Sequence, residues 1–193
     1  MALHFSRRTV GAKCYNGYVR RCNILLTFFS RAGENYGVDD TEVGNTEVIA
    51  GYIKDYFGDK IDVFKLEPVN LYPDNYQECT EVAKREKAEN ARPAFQGEID
   101  LAAHDNIFLG YPIWWGEPPM IINTFLEKYD FAGKTIIPFN THAGSGAAGS
   151  YKAIKEKLPD ANVNTNGLAI MGTDARTQSA KDSVEAWLKE LGF

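Results

Sequence analysis

Apolar positions along this chain change their spacing several times. Asn23–Phe29 is a short, nearly unbroken apolar run, the pattern of a strand buried on both faces. From Thr46 to Phe57, Val48, Ile49, Tyr52, Ile53, Tyr56 and Phe57 recur at helical spacing and predict an amphipathic helix. Ile61–Leu66 reads as a second strand, and Asp62 and Lys65 within it point to a sheet edge. Pro73 and Asp74 open a polar helix reaching Asn90. Asn106–Tyr111 is a third strand. Pro118 and Pro119 suit the first turn of the next helix, which buries Ile121, Ile122, Phe125, Leu126 and Tyr129. Thr135–Thr141 and Gly167–Met171 predict the fourth and fifth strands, with a helix opening near Ser150 between them. A last helix packs through Val184, Trp187, Leu188 and Leu191.

This alternation predicts an α/β fold, a three-layer, doubly wound, five-stranded parallel sheet with helices on both faces. Ligands in such sheets bind beyond the carboxyl ends of the strands. The loops after the first, third and fourth strands are therefore the candidate site.

Charge narrows the function classes. The 193 residues carry 21 Lys and Arg against 26 Asp and Glu, a net charge of −5. The segment 1–22 holds Arg7, Arg8, Lys13, Arg20 and Arg21 and no acid, so residues 23–193 are strongly acidic. We expect a basic N-terminal extension over 1–22, loosely like a transit peptide but read as a solvated tail, and one domain over 23–193. An acidic body argues against nucleic acid and suits basic partner proteins. No apolar run is long enough to span a membrane. Cys14, Cys22 and Cys79 form no metal-ligand or disulfide pattern, so no metal is expected and a reducing, cytoplasmic location is.

Unusual residues gather in the three loops. The first runs from Ser30 to Thr46 and feeds a helix N-terminus, where free amides and the helix dipole favour an anion. Gly33, Gly37 and Gly44 allow close backbone approach, Ser30 and Thr46 offer hydroxyls, and Arg31 a guanidinium; Asn45 or Thr46 would equally serve as an ordinary helix cap. There is no GxxxxGK[ST], which excludes a P-loop NTPase. The second loop, Pro112-Ile113-Trp114-Trp115-Gly116, places two tryptophans side by side; one can pack on the body while the other meets a flat ring system. The third runs through Thr141, His142, Gly144, Ser145 and Gly146 to Gly149. It formally matches GxGxxG, but it follows the fourth strand, and Asp160 and Asp174 are wrongly spaced for a dinucleotide's ribose. Ala143 breaks the GxSxG elbow of a hydrolase.

Ser30 with Gly44-Asn45-Thr46, then Pro112–Gly116, then Thr141–Gly146, in that order, resemble the flavodoxins, in particular bacterial flavodoxin-like proteins with a P-I-W-W-G loop. The resemblance covers 23–193. It implies strand order 2-1-3-4-5, which the polar second strand supports independently, and bound FMN. By resemblance, the phosphate lies in the first loop (Ser30, Arg31, Gly44, Asn45, Thr46). The isoalloxazine lies between the second (Pro112, Ile113, Trp114, Trp115, Gly116) and third (Thr141, His142, Gly144, Ser145, Gly146). Flavodoxins have a short first loop; here Arg31–Val43 is extra, and part of it is expected to cradle phosphate or form a lid. The family implies electron transfer with redox partner proteins or a small-molecule acceptor, with no catalytic side chain. The alternative is an FMN-dependent NAD(P)H oxidoreductase acting on quinones or nitro compounds.

Overall fold

The computed structural model describes residues 23–193; the basic segment 1–22 lies outside the described residues. Thirteen strands and helices follow one another: β1 (Ile24–Phe28), β2 (Gly33–Asn35), β3 (Val38–Thr41), α1 (Asn45–Phe57), β4 (Asp62–Lys65), α2 (Tyr76–Ala88), β5 (Asn106–Pro112), α3 (Met120–Lys128), β6 (Thr135–His142), α4 (Ser150–Lys157), β7 (Asn162–Val163), β8 (Leu168–Met171) and α5 (Gln178–Glu190). The main sheet runs β4-β1-β5-β6-β7, with β8 also on β6, and every pairing in it is parallel. Counting β7 and β8 as two pieces of one strand, this is the 2-1-3-4-5 order, with the polar β4 at the edge as its Asp62 and Lys65 foretold.

Strand alternation divides the core in two. Leu25, Ile107, Leu109 and Tyr111 face α2, α3 and α4 and meet Cys79, Ile121, Phe125 and Ile154. Leu26, Phe28, Phe108 and Phe139 face α1 and α5 and meet Ile49, Ile53, Val184 and Leu188. The predicted helix faces are therefore the buried ones.

The last strand is broken where β6 carries a proline. Parallel strands turn successive amides to opposite sides. The amide of Thr135 donates to the Asp105 carbonyl toward β5, so the positions of Ile136, Pro138 and Asn140 face the last strand. Pro138 has no N–H to offer there. Pairing accordingly stops after Ile136 with Val163 and resumes at Phe139 with Leu168. Gly167 rests on the Pro138 carbonyl, where a Cβ would come within 2.4 Å. The sequence pattern predicts only the second piece.

Two other details differ from expectation. Part of the long first loop is an antiparallel hairpin, β2–β3, turning at Tyr36 and Gly37. And α2 begins at Tyr76 rather than Pro73: Asn75 is the N-cap, its side chain accepting from the Glu78 amide at 3.0 Å.

Candidate functional site

The carboxyl ends of β1, β5 and β6 open into one cleft of about 460 Å³. Its floor begins at the α1 N-terminus. A helix leaves its first amides without intrahelical partners. Here the Glu47 amide reaches Ser30 Oγ at 3.1 Å and the Val48 amide reaches the Gly44 carbonyl, which leaves those of Asn45 and Thr46 open. Gly44 is required: an added Cβ would stand 2.3 Å from both the Arg31 carbonyl and Ser30 Oγ. Thr46 and Thr141 hydroxyls, both buried, pair at 2.8 Å and tie the first loop to the third.

Arg31 acts as a tether. Its Nη1 donates to the Pro73 and Asp74 carbonyls at 2.7 and 2.9 Å, and its Nη2 to the Glu34 carbonyl. Glu34 in turn accepts from the Tyr76 amide and the Asn75 side chain, at 2.9 and 2.8 Å. These bonds seat the hairpin on the N-terminus of α2. On the other side, Arg176 donates to Asn45 Oδ1 and the Val43 carbonyl.

The two tryptophans divide as their adjacency suggested. Trp114 meets Phe29 and Tyr72 edge-on at 5.3 and 5.0 Å and joins the core. Trp115 is 49% exposed. Trp114 and Glu117 exchange backbone hydrogen bonds at 2.9 and 3.1 Å around a tight turn, and both central residues have positive φ: Trp115 at 51° and Gly116 at 80°. A left-handed tryptophan is strained. It is held by its own contacts with α2: Nε1 donates to the Thr80 carbonyl at 3.0 Å, Lys87 Nζ donates to its carbonyl at 2.8 Å, and Lys84 Nζ lies 5.5 Å from the ring.

The third loop is shaped by backbone that few residues adopt. Gly144, Gly146, Ala148 and Gly149 all have positive φ. Buried Asn140 fastens the loop from below, donating to the Gly146 carbonyl at 3.1 Å while accepting from the Tyr151 hydroxyl. Burial raises the pKa of Tyr111 and Tyr151 and keeps both neutral. The Gly144 amide donates to His142 Nδ1 at 3.0 Å. Partial burial holds the His142 pKa below its ordinary 6.5, against a smaller opposing pull from Asp174.

Arg31, Asn45, Pro112, Ile113, Trp114, Trp115, Gly116, Thr141, His142 and Ser145 line this one cleft. Ser30, Gly44 and Thr46 sit behind its floor, and Gly144 and Gly146 shape the rim without being part of the lining. The wall opposite is made by Asn35 and Tyr36, within the extra Arg31–Val43 segment, and by Tyr76, Gln77, Cys79, Thr80 and Ala83 of α2 and Gly172, to which the sequence did not point. The Asn35-Tyr36-Gly37 turn was the available signal for the hairpin. Cys79 is free and buried, and burial pushes its thiol pKa up, so it is a packing residue rather than a nucleophile. Among the described residues no cluster of His, Cys, Asp and Glu could hold a metal, and no helix is long and apolar enough to cross a membrane.

Among the described residues the lining contains no carboxylate, although the chain is acidic; it offers the open Asn45 amide, a guanidinium, and Tyr and Trp rings. That donor set fits a ligand with an anionic end and a flat aromatic end. Fold and cleft together define an α/β protein of the flavodoxin type. The chain belongs to the flavodoxin family, whose model matches residues 43–191. It is similar to a candidate flavoprotein from Bacteroides eggerthii, 28% identical over 89% of this chain and 98% of that one, with a TM-score of 0.66. A second candidate flavoprotein, from Bacteroides uniformis, is 27% identical over 86% and 97%, with a TM-score of 0.69. A flavoprotein from Lactobacillus acidophilus, solved in complex with FMN, shares the fold at 20% identity over 81% and 98%, with a TM-score of 0.61. None of the curated protein sequences matches this chain.

Proposed function

We propose that this chain binds FMN in the cleft and carries electrons between redox partners. The observation that carries the reading is the cleft's chemistry: open amides at the α1 N-terminus at one end, the Trp115 and Gly144 loops at the other, and no carboxylate between them among the described residues. The amides of Asn45 and Thr46, with the Ser30 and Thr46 hydroxyls behind them, would hold the phosphate; Arg31 fixes the hairpin beside it. Pro112–Gly116 and Thr141–Gly146 would hold the ring. Bound FMN supplies one- or two-electron chemistry. The protein's residues bind and orient it and set its hydrogen-bonding surroundings.

The acidic domain over 23–193 suits a basic redox protein as partner, with a small-molecule acceptor as the other candidate. A free, buried Cys79 goes with a cytoplasmic setting. Titrating the purified protein with FMN and following the visible spectrum tests the binding; unchanged free-flavin absorbance and fluorescence would overturn it. Anaerobic NADPH then tests the role: a carrier stays yellow until a partner reductase is added, and direct bleaching would make it a reductase.

A further inference from the structure

The His142 ring does more than line the cleft. A backbone amide can only donate, so the 3.0 Å bond from Gly144 requires a lone pair on His142 Nδ1. The single proton of the neutral ring is then fixed on Nε2. That nitrogen has no partner among the described residues, and the ring lies on the cleft wall beside Thr141 and Ser145. The pyrimidine edge of an oxidised flavin offers the acceptors N1, O2, O4 and N5, with a single N3–H donor between the two carbonyls. Building on the FMN reading above, we infer that His142 presents a fixed Nε2–H donor to an acceptor on the pyrimidine edge of the bound flavin.

The physical steps are few. A second proton can enter only at Nδ1, where it would meet the Gly144 N–H head-on and break the bond that holds the loop at its left-handed glycine. The charged group that bears on the ring is Asp174, from the turn after β8; the described lining itself holds one charged residue, Arg31, and the titratable but neutral Tyr36, Tyr76 and Cys79. Burial outweighs Asp174 and keeps the neutral form favoured. The sign follows: the loop bond is intact above the ordinary histidine value of 6.5 and is lost as pH falls through the depressed folded value, whereas the Nε2–H donor is kept in both forms.

Two substitutions separate donation from loop shaping. In His142→Asn the side-chain carbonyl can take the place of Nδ1 and accept from Gly144, but nothing donates from the Nε2 position. In His142→Gln an amide N–H can take the place of Nε2, and the acceptor is lost. FMN affinity is measured by fluorescence quenching against pH for the wild type, H142N and H142Q, with circular dichroism as a check on folding. The phosphate's own titration is common to all three proteins and cancels. The inference expects H142Q to stay within about threefold of the wild type and H142N to fall about tenfold, a difference of one decade in affinity. It also expects the wild type to keep its advantage over H142N on acidification, because the imidazolium retains Nε2–H. Nitrogen-15 spectra of the protein without flavin should show the proton on Nε2. A tighter H142N than H142Q, or a proton on Nδ1, overturns the inference while leaving FMN binding intact. Failure of the wild type to bind FMN overturns the functional reading itself.

Discussion

Three residues hold unusual positions for identifiable reasons. Gly44 is packed between Ser30 and Arg31, so Gly44→Ala must push the first loop off α1. Overpacking of this kind destabilises by about 1–3 kcal/mol; denaturant unfolding should show that loss together with weaker FMN binding. Trp115 gives the opposite pairing of effects. Trp115→Gly relieves a left-handed backbone, worth about 1 kcal/mol, yet removes a ring from the cleft. Stability measured by unfolding should hold or rise while FMN affinity falls; a parallel fall in both would show that contacts with Thr80, Lys84 and Lys87 outweigh the strain. His142 adds a pH dependence to stability. Its folded pKa is depressed, so it favours the fold above about 6.5 and that support is lost as pH falls through the folded value. Comparing unfolding of wild type and His142→Gln on either side of that pH measures it. At this scale the sequence was informative about types, because Gly, Trp and Ser in loops are conspicuous. It did not reveal that the Ser30 and Thr46 hydroxyls already have partners in Glu47 and Thr141, since those bonds join residues far apart in the chain.

Whole elements were legible in proportion to how much of them is buried. β1, β5 and β6 are apolar runs covered on both faces, and α1, α3 and α5 show clear helical spacing, so each was foreseen. The hairpin was not, because its strands are Gly-Glu-Asn and Val-Asp-Asp-Thr, short and polar. It is held by bonds to distant segments rather than by its own pattern. Loss of the tether should therefore act locally. Arg31→Met removes three carbonyl contacts and should raise hydrogen exchange and proteolysis within 33–41 while the sheet amides keep their protection. Equal loosening of β1, β5 and β6 would show that Arg31 supports the fold as a whole. The two-piece last strand was illegible for another reason: its break depends on which way the missing amide of Pro138 faces, and that is fixed only by pairing.

The molecule as a whole places a cleft lined, among the described residues, without carboxylates at one end of an acidic domain. The parallel sheet, its strand order and three converging loops could all be read from the chain because each is local in sequence or follows from the right-handed crossover rule. The α2 part of the wall could not, since α2 is a polar helix with little apolar pattern to give its direction. We expect the domain to be self-sufficient from residue 23, so a chain lacking 1–22 should bind FMN and unfold as the full chain does. A large loss of either would show that the basic segment belongs to the domain. The central claim concerns the two ends of the cleft, a phosphate at α1 and a ring at Trp115. Calorimetric titration with FMN and with riboflavin, which has the ring but no phosphate, separates them. Charge-assisted hydrogen bonds are worth about 1.5–3 kcal/mol each, so FMN should bind at least about tenfold more tightly than riboflavin. Equal affinities would contradict the account, because the open amides of Asn45 and Thr46 would then have no part in holding the ligand.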